Sequence, residues 1–489
     1  MYDLVVHKLN EAFIKIDCES GIAQELSTFF EFYVPGFKFI PAYRNKLWDG
    51  KIRLFNVRNH TLYHGLIPHV KKFSEDRGYK LFINSEVLLE DELSINESNE
   101  FIASLKLPHE VRDYQQAAFI HAIRKKRSLI LSPTASGKSL ILYLIVRYLQ
   151  ETNTKGVLIV PTTSLVEQMY SDFASYGYDS EKYCHRQYSG KDKQSNKFLT
   201  ITTWQSIYKN DPEYFEQFDF VLGDEAHQFK AKSLTTILSS LVNAKTRVGC
   251  TGTLDGTQTH RLVLEGLFGP VYKSTTTKEL MDKNFLAKFN IKCLILKYNE
   301  EICKIAKNQK WDYQTELDFI VMNTARNKFI KNLALSLTGN SLILFQFVEK
   351  HGKILYDIIA SSAKDRKVFL VYGKTDVEAR EAVRSITEKE KDAIIVASYG
   401  TFSTGTNIRN LHNIIFASPS KSKIRNLQSI GRGLRLGDDK QEATLYDISD
   451  DIRTGKYVNH TLKHFVERVK IYDEEKFKYK FYNIELKND

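Results

Sequence analysis

The chain is poor in cysteine. Its 489 residues include five (Cys18, Cys184, Cys250, Cys293 and Cys303), none paired as Cys-x-x-Cys and none beside histidines at zinc-finger spacing. This excludes a disulfide framework and a structural zinc site and predicts a reduced, intracellular protein. No apolar stretch approaches the about 20 residues that span a bilayer, and the first ten residues mix charge with short apolar runs, so the chain is expected to be cytoplasmic, neither secreted nor membrane-embedded. Internal repeats and low-complexity tracts are lacking too.

What is present is length, charge and a regular alternation of elements. A chain this long holds two to four domains. Lys and Arg number 70 against 59 Asp and Glu, a formal net charge of +11, which suits a polyanionic partner such as nucleic acid or simply marks a basic soluble protein. From about Ser128 to Asp450, short apolar runs (SLILS, GVLIVP, FDFVLGDEA, TRVGCTGT, then SLILFQF, KVFLVYG, AIIVAS, NIIFAS) alternate with helical patterns. That pattern predicts an α/β fold with parallel sheets, and two such series predict two tandem lobes. The expected layout is a small α+β N-terminal accessory domain over 1–100, lobe 1 over 101–280, lobe 2 over 281–450 and a short helical tail over 451–489.

The run SLILS leads into Pro133-Thr134-Ala135-Ser136-Gly137-Lys138-Ser139 and then a helical LILYLIVRYL, the strand, loop and helix order of a P-loop. The loop N–H groups are expected to cradle phosphates, Lys138 to reach the β and γ phosphates of ATP, and Ser139 to ligate Mg2+. Gly-Lys-Ser/Thr alone arises by chance roughly 0.2 to 0.3 times in such a chain, so context must decide. Ser132 stands where the pattern has its first Gly. Further on, the strand FVLG ends in Asp224-Glu225-Ala226-His227, two carboxylates at the sheet edge where ligands of α/β folds bind. Asp224 is the candidate magnesium holder and Glu225 the candidate group that polarises the attacking water. By itself the tetrapeptide also reads as an acidic turn.

Phosphoryl transfer is catalysed by positioning and charge stabilisation, so cations must be presented to the γ-phosphate. Gln428, Arg432 and Arg435, spaced by four and then three residues, share one helical face in Gln-Ser-Ile-Gly-Arg-Gly-Leu-Arg. A merely solvated basic helix would leave Gly431 and Gly433 unexplained, since glycine inside a helix is costly.

Together these motifs resemble those of superfamily 2 helicases with two RecA-like lobes, in the DEAH spelling. The resemblance implies further roles in chain order. Arg112 and Gln115 resemble the adenine-reading Q-motif. Pro161 and Thr162, and then Thr203, Trp204 and Gln205, resemble motifs that contact the nucleic-acid backbone. Thr251 and Thr253, with His227, resemble the relay between ATP and nucleic-acid sites. Phe345 and Gln346 resemble motif IV. Thr401 and Ser403 resemble strand-contacting hydroxyls, and Gly405 and Asn407 the residues that approach the ribose. The implied motor grips the backbone alternately with its two lobes as ATP is hydrolysed.

The N-terminal segment PAYRNKLWDGKIRLF interleaves Lys46, Trp48, Lys51 and Arg53, aromatics among cations that suit stacking and phosphate contact, or equally a small hairpin with its charges solvated. With its Trp-Asp-Gly-Lys-Ile-Arg-Leu run and the whole layout, the chain resembles the UvsW-type recombination helicases of T-even-like phages. That resemblance implies a 3′ to 5′ DNA helicase that branch-migrates junctions, regresses forks and removes RNA-DNA hybrid loops, working as a monomer in the host-cell cytoplasm. It also implies a single-strand binding protein or recombinase as partner. Competing readings are a restriction-type duplex translocase, an RNA helicase, and an annealing protein that has lost hydrolysis; the intact Lys138, Ser139, Asp224, Glu225, Arg432 and Arg435 argue against the last.

Overall fold

The computed structural model describes residues 2–88, 90–152, 154–188, 195–228, 231–254, 258–403, 410–420, 422, 430–431 and 442–486. By backbone packing they divide into two units, Met1–Ser132 with Gly137–Thr275, and Pro133–Ser136 with Thr276–Asp489.

Six short strands open the first unit: β1 (Leu4–Lys8), β2 (Phe13–Cys18), β3 (Glu31–Tyr33), β4 (Lys51–Arg53), β5 (Thr61–Tyr63) and β6 (Leu81–Ile83). Four of them form a sheet in the order β5-β2-β1-β6, with β1 antiparallel to β2 and parallel to β6. Leu4, Val6, Ile14 and Ile16 alternate onto one face and are buried with Leu26 and Phe30, at the helix Ser20–Phe29, and with Val70 and Phe73 of the helix Ile67–Arg77. β3 and β4 stand apart as a two-stranded antiparallel ribbon. The N-terminal sheet shares its unit with lobe 1. Gly65 lies so close to the helix Gln258–Phe268 that an added Cβ would fall 2.0 Å from the Glu265 carbonyl. His69 Nε2 meets Glu265 Oε2 at 2.5 Å, and Arg127 pairs with Glu11 at 2.8 Å.

Lobe 1 is a seven-stranded, wholly parallel sheet: β7 (Arg127–Leu131), β8 (Gly156–Val160), β9 (Cys184–Gln187), β10 (Leu199–Thr203), β11 (Phe220–Gly223), β12 (Thr246–Thr251) and β13 (Val271–Lys273), in the order β13-β7-β12-β11-β8-β10-β9. Both faces of its central strands are covered, which is why β8 and β11 are unbroken apolar runs. The P-loop helix Lys138–Gln150 buries every residue from Leu140 to Val146. Arg247 on β12 is fully buried and, among the described residues, makes no ion pair. Its guanidinium donates to the carbonyls of Leu238, Leu241, Ala244 and Leu267, which include carbonyls at the ends of two helices, a favourable place for a cation.

Lobe 2 repeats the plan. Its strands are β14 (Lys288–Lys297), β15 (Ser341–Phe345), β16 (Val368–Val371), β17 (Ile394–Ser398), β18 (Asn413–Phe416), β19 (Glu442–Asp451) and β20 (Lys478–Glu485), all parallel in the order β16-β17-β15-β18-β19-β14-β20. The tail carries the expected helix, His460–Glu474, and adds to it a strand, because β20 crosses over to become the sheet's outer edge beside β14. Two devices fix that tail. The buried Glu316 carboxylate accepts from the N–H groups of His460 and Thr461 and so caps the helix from outside. Arg468 then forks onto Asp447 of β19, with both side chains fully buried and the Tyr472 hydroxyl donating to the same carboxylate at 2.7 Å. No helix among the described residues is long and apolar enough to cross a membrane.

Candidate nucleotide and nucleic-acid site

Strand order gathers the lobe 1 motifs. β7, β12 and β11 are neighbours, with Leu131 opposite Thr251 and Gly249 opposite Gly223, so the P-loop, Thr251–Thr253 and Asp224-Glu225 leave the same carboxyl edge side by side. Ser132 donates its N–H to the Thr251 carbonyl at 2.9 Å and keeps an ordinary backbone, so no glycine is required there. The left-handed positions are Ala135 (φ 67°) and Gly137 (φ 80°), and a Cβ on Gly137 would lie 2.4 Å from Gln115 Nε2.

Lys138 Nζ lies 3.3 Å from Glu225 Oε1. Burial works against the Lys138 charge, yet the Glu225 and Asp224 carboxylates outweigh it and raise the ammonium above its ordinary value. Burial also opposes charge on Glu225, but Lys138 and His227 hold that carboxyl below the usual range. Asp224 is left as the acid of the pair. Burial first, then the Glu225 charge, pushes it up to about 7. Glu225 itself sits at φ 47°, a left-handed conformation rare for a residue with a side chain, of the kind found at functional sites. Its N–H donates to Asp224 Oδ1 at 2.9 Å, and its carbonyl opens the turn Ala226–Gln228.

A buried carboxylate with a raised pKa is a group short of positive charge, which suits a cation ligand. Ser139 is the other candidate ligand. Its Oγ lies 2.9 Å from the hydroxyl of Tyr176, a residue that no sequence motif marks. The residues present therefore fit a magnesium ion carried in with a nucleotide.

His227 Nδ1 and Thr251 Oγ1 are 2.6 Å apart, and the same hydroxyl donates to the Thr253 carbonyl at 2.8 Å. The motif residues Arg112 and Gln115 meet at the start of the helix Asp113–Lys125, where Gln115 Oε1 accepts the Arg112 N–H at 3.0 Å and Gln115 Nε2 approaches the Gly137 carbonyl at 3.5 Å.

The nucleic-acid candidates are arranged less uniformly. Gln205 Nε2 donates to the Pro161 carbonyl at 3.3 Å, which joins two of the expected backbone-contact motifs. The Thr162 hydroxyl caps the helix Thr163–Ser175, Thr203 Oγ1 lies 2.8 Å from Ser206 Oγ, and Trp204 is half-buried beside Tyr208. Thr401 Oγ1 lies 2.8 Å from Ser398 Oγ. In the ribbon, Trp48 Nε1 donates to the Lys51 carbonyl at 2.9 Å, Lys51 pairs with Glu31, and Arg53 pairs with Asp49 at 2.5 Å and with Glu31 at 3.2 Å. Lys46 remains exposed. Gly405, Asn407, Gln428, Arg432 and Arg435, and the side chain of Ser403, lie outside the described residues.

Three family models match the chain: "Type III restriction enzyme, res subunit" over residues 108–256, "DNA helicase UvsW, N-terminal" over 3–84, and "Helicase conserved C-terminal domain" over 325–437. Fold, site and matches define a superfamily 2 helicase. The ATP-dependent DNA helicase uvsW of Enterobacteria phage T4 is 34% identical over 99% of this chain and 100% of that relative, and its crystal structure superposes with a TM-score of 0.54 at 32% identity over 99% and 100% of the two chains. The chain belongs to the UvsW family of ATP-dependent DNA helicases. A DNA 3′-5′ translocase of Sulfurisphaera tokodaii is 26% identical over 74% of this chain and 87% of its own length.

Proposed function

We propose that this helicase remodels branched DNA, migrating four-way junctions, regressing forks and removing RNA-DNA hybrid loops, with ATP as fuel and Mg2+ as cofactor. The observation that carries the motor is the cluster of Lys138, Asp224 and Glu225 at one sheet edge, tied to the next strand through His227 and Thr251. Support for the branched substrate comes from the N-terminal domain, which matches the UvsW-specific family model and packs on lobe 1.

In this reading the residues take the roles that their motifs imply. Lys138 exchanges its partner Glu225 for the β and γ phosphates, which frees the Glu225 carboxylate to orient and polarise water. Ser139 and Asp224 would hold the magnesium ion, which neutralises phosphate charge when bound. Backbone N–H groups from Pro133 to Ser139 cradle phosphate, and Arg112 and Gln115 frame the base. Gln428, Arg432 and Arg435 supply water orientation and transition-state charge, while Gly405 and Asn407 approach the ribose. Pro161, Thr162, Thr203, Trp204, Gln205, Thr401 and Ser403 form the track for the strand. Movement is 3′ to 5′, a direction that the name of the archaeal relative shares. The protein works as a monomer in the cytoplasm of the infected cell, with a single-strand binding protein or recombinase as partner.

The test compares ATPase stimulation and product formation on single strands, forked DNA, a four-way junction, an RNA-DNA hybrid loop and duplex RNA at one stated salt concentration, because phosphate-driven affinity depends steeply on salt. Preference for the branched DNAs and the hybrid loop supports the proposal. Preference for unbranched duplex, tracked without strand exchange, supports the restriction-type reading that the match over residues 108–256 favours.

A further inference from the structure

The sequence directs attention to Trp48, Lys51 and Arg53, but all three spend their polar groups inside the β3–β4 ribbon. The excursion that this ribbon carries is built differently. From Phe32 to Trp48 it contains Lys38, Arg44 and Lys46 and no Asp or Glu. It is a small, self-packed knob. Phe37 stacks on Tyr33 at 4.7 Å and meets Tyr43 edge-on at 4.7 Å, and Gly50 at φ 82° lets the chain close under the Phe37 ring, where a Cβ would fall 2.4 Å away. The short turns Phe37–Phe39 and Pro41–Arg44 fill its tip, and Phe55, buried in the N-terminal core, anchors its base.

Two side chains are left out of that packing. Phe39 and Leu47 are 77% and 81% exposed, the most exposed large apolar side chains among the described residues. Lys38, Arg44 and Lys46 are exposed beside them. A pre-formed apolar tip with three exposed cations close by in sequence is complementary to a surface with flat apolar faces and anions at its margin. A base pair laid bare at a duplex branch has that chemistry, its face apolar and its two backbones charged.

Building on the branched-DNA reading, we propose that this knob is the branch-point contact: Phe39 and Leu47 stack on the last base pair at the junction, and Lys38, Arg44 and Lys46 hold the flanking phosphates. The rigid aromatic packing beneath the tip keeps the ordering cost of binding low, since the contact surface exists before DNA arrives.

The experiment uses the full chain and a DNA fork carrying 2-aminopurine at the branch, first without ATP. Wild type is expected to raise the emission on binding by unstacking that base. Phe39→Ala with Leu47→Ala is expected to lower the change, and the ATP-driven unwinding rate, by roughly tenfold, with turnover on single strands kept within about twofold. Phe39→Trp should preserve the signal. Replacing Lys38, Arg44 and Lys46 together with Gln should flatten the slope of log K against log salt by about 2 to 3 on the fork. Wild-type emission and unwinding in the double variant, as expected of a knob that docks another protein, would overturn the proposal. Failure of the branched-DNA reading shows separately, as an emission change without ATP-driven unwinding by wild type.

Discussion

His227 Nδ1 and Thr251 Oγ1 are joined by a hydrogen bond of 2.6 Å. The Thr251 hydroxyl also lies 2.8 Å from the Thr253 carbonyl, so one side chain bridges the histidine and the segment that follows the strand. The side chain two residues after the Glu225 carboxylate is thereby held to the end of the neighbouring strand. In the proposed mechanism, this contact would carry a change at Glu225 to Thr251–Thr253, the segment that resembles the relay of other helicases.

Breaking that link should uncouple the motor. Thr251→Ala is expected to leave ATP turnover within a few-fold of wild type and to lower unwinding per ATP about tenfold, a coupling loss in the usual 1–3 kcal/mol range. Parallel ATPase and strand-displacement rates check it, and an equal loss in both would assign Thr251 to hydrolysis itself.

Lys138→Ala or Glu225→Gln is expected to lower ATP turnover by at least about 10²–10³-fold, the scale of losing one charge-stabilising or water-orienting group. DNA affinity, read by fluorescence anisotropy, should stay near wild type. Arg432→Ala should slow turnover without abolishing nucleotide binding; collapse of nucleotide affinity would make it a ground-state ligand.

As the proposed magnesium ligand, Asp224 is expected to give the site a pH dependence. Its carboxyl is pushed up to about 7 by burial and by the Glu225 charge, and only the ionised form can hold magnesium. Protons are therefore expected to compete with the metal below pH 7. Half-saturating Mg2+ for nucleotide binding should rise by about tenfold for each pH unit below 7 and level off above pH 8. Asp224→Asn should flatten this profile. A wild-type profile that is flat between pH 6 and 7 would contradict the assignment.

In lobe 2, Arg468 and Asp447 are fully buried partners, so removing one strands the other. Asp447→Asn or Arg468→Met is expected to cost about 3–5 kcal/mol in denaturant unfolding, whereas replacing both with apolar residues should recover most of the loss. A cost below 1 kcal/mol for the single variants would show that water reaches the pair.

The motifs of lobe 1 were legible because each is compact in sequence and each follows an apolar run. A parallel sheet then aligns the strand ends without further information, and so Lys138, Asp224, Glu225 and Thr251 arrive at one edge. Pairings across long stretches of chain were not legible. Tyr176 meets Ser139 from 37 residues away, Glu316 caps a helix that starts 144 residues later, and neither carries a local signal. β20 read as helix because its alternation of Lys with aromatics is that of an exposed edge, which burial does not sharpen. Trp48, Lys51 and Arg53 were ambiguous for a similar reason. Cations among aromatics serve a hairpin as well as a DNA contact, and the pairing of Lys51 with Glu31 and of Arg53 with Asp49 carries no signal in the sequence.

The most direct measurement is the conversion of a synthetic four-way DNA junction into two forked duplexes, followed by gel with wild type and Lys138→Ala at equal DNA occupancy. ATP- and Mg2+-dependent conversion by wild type, with none by the variant, is the expected result. Conversion that proceeds equally without ATP, or equally in the variant, would contradict the account of a hydrolysis-driven branched-DNA motor.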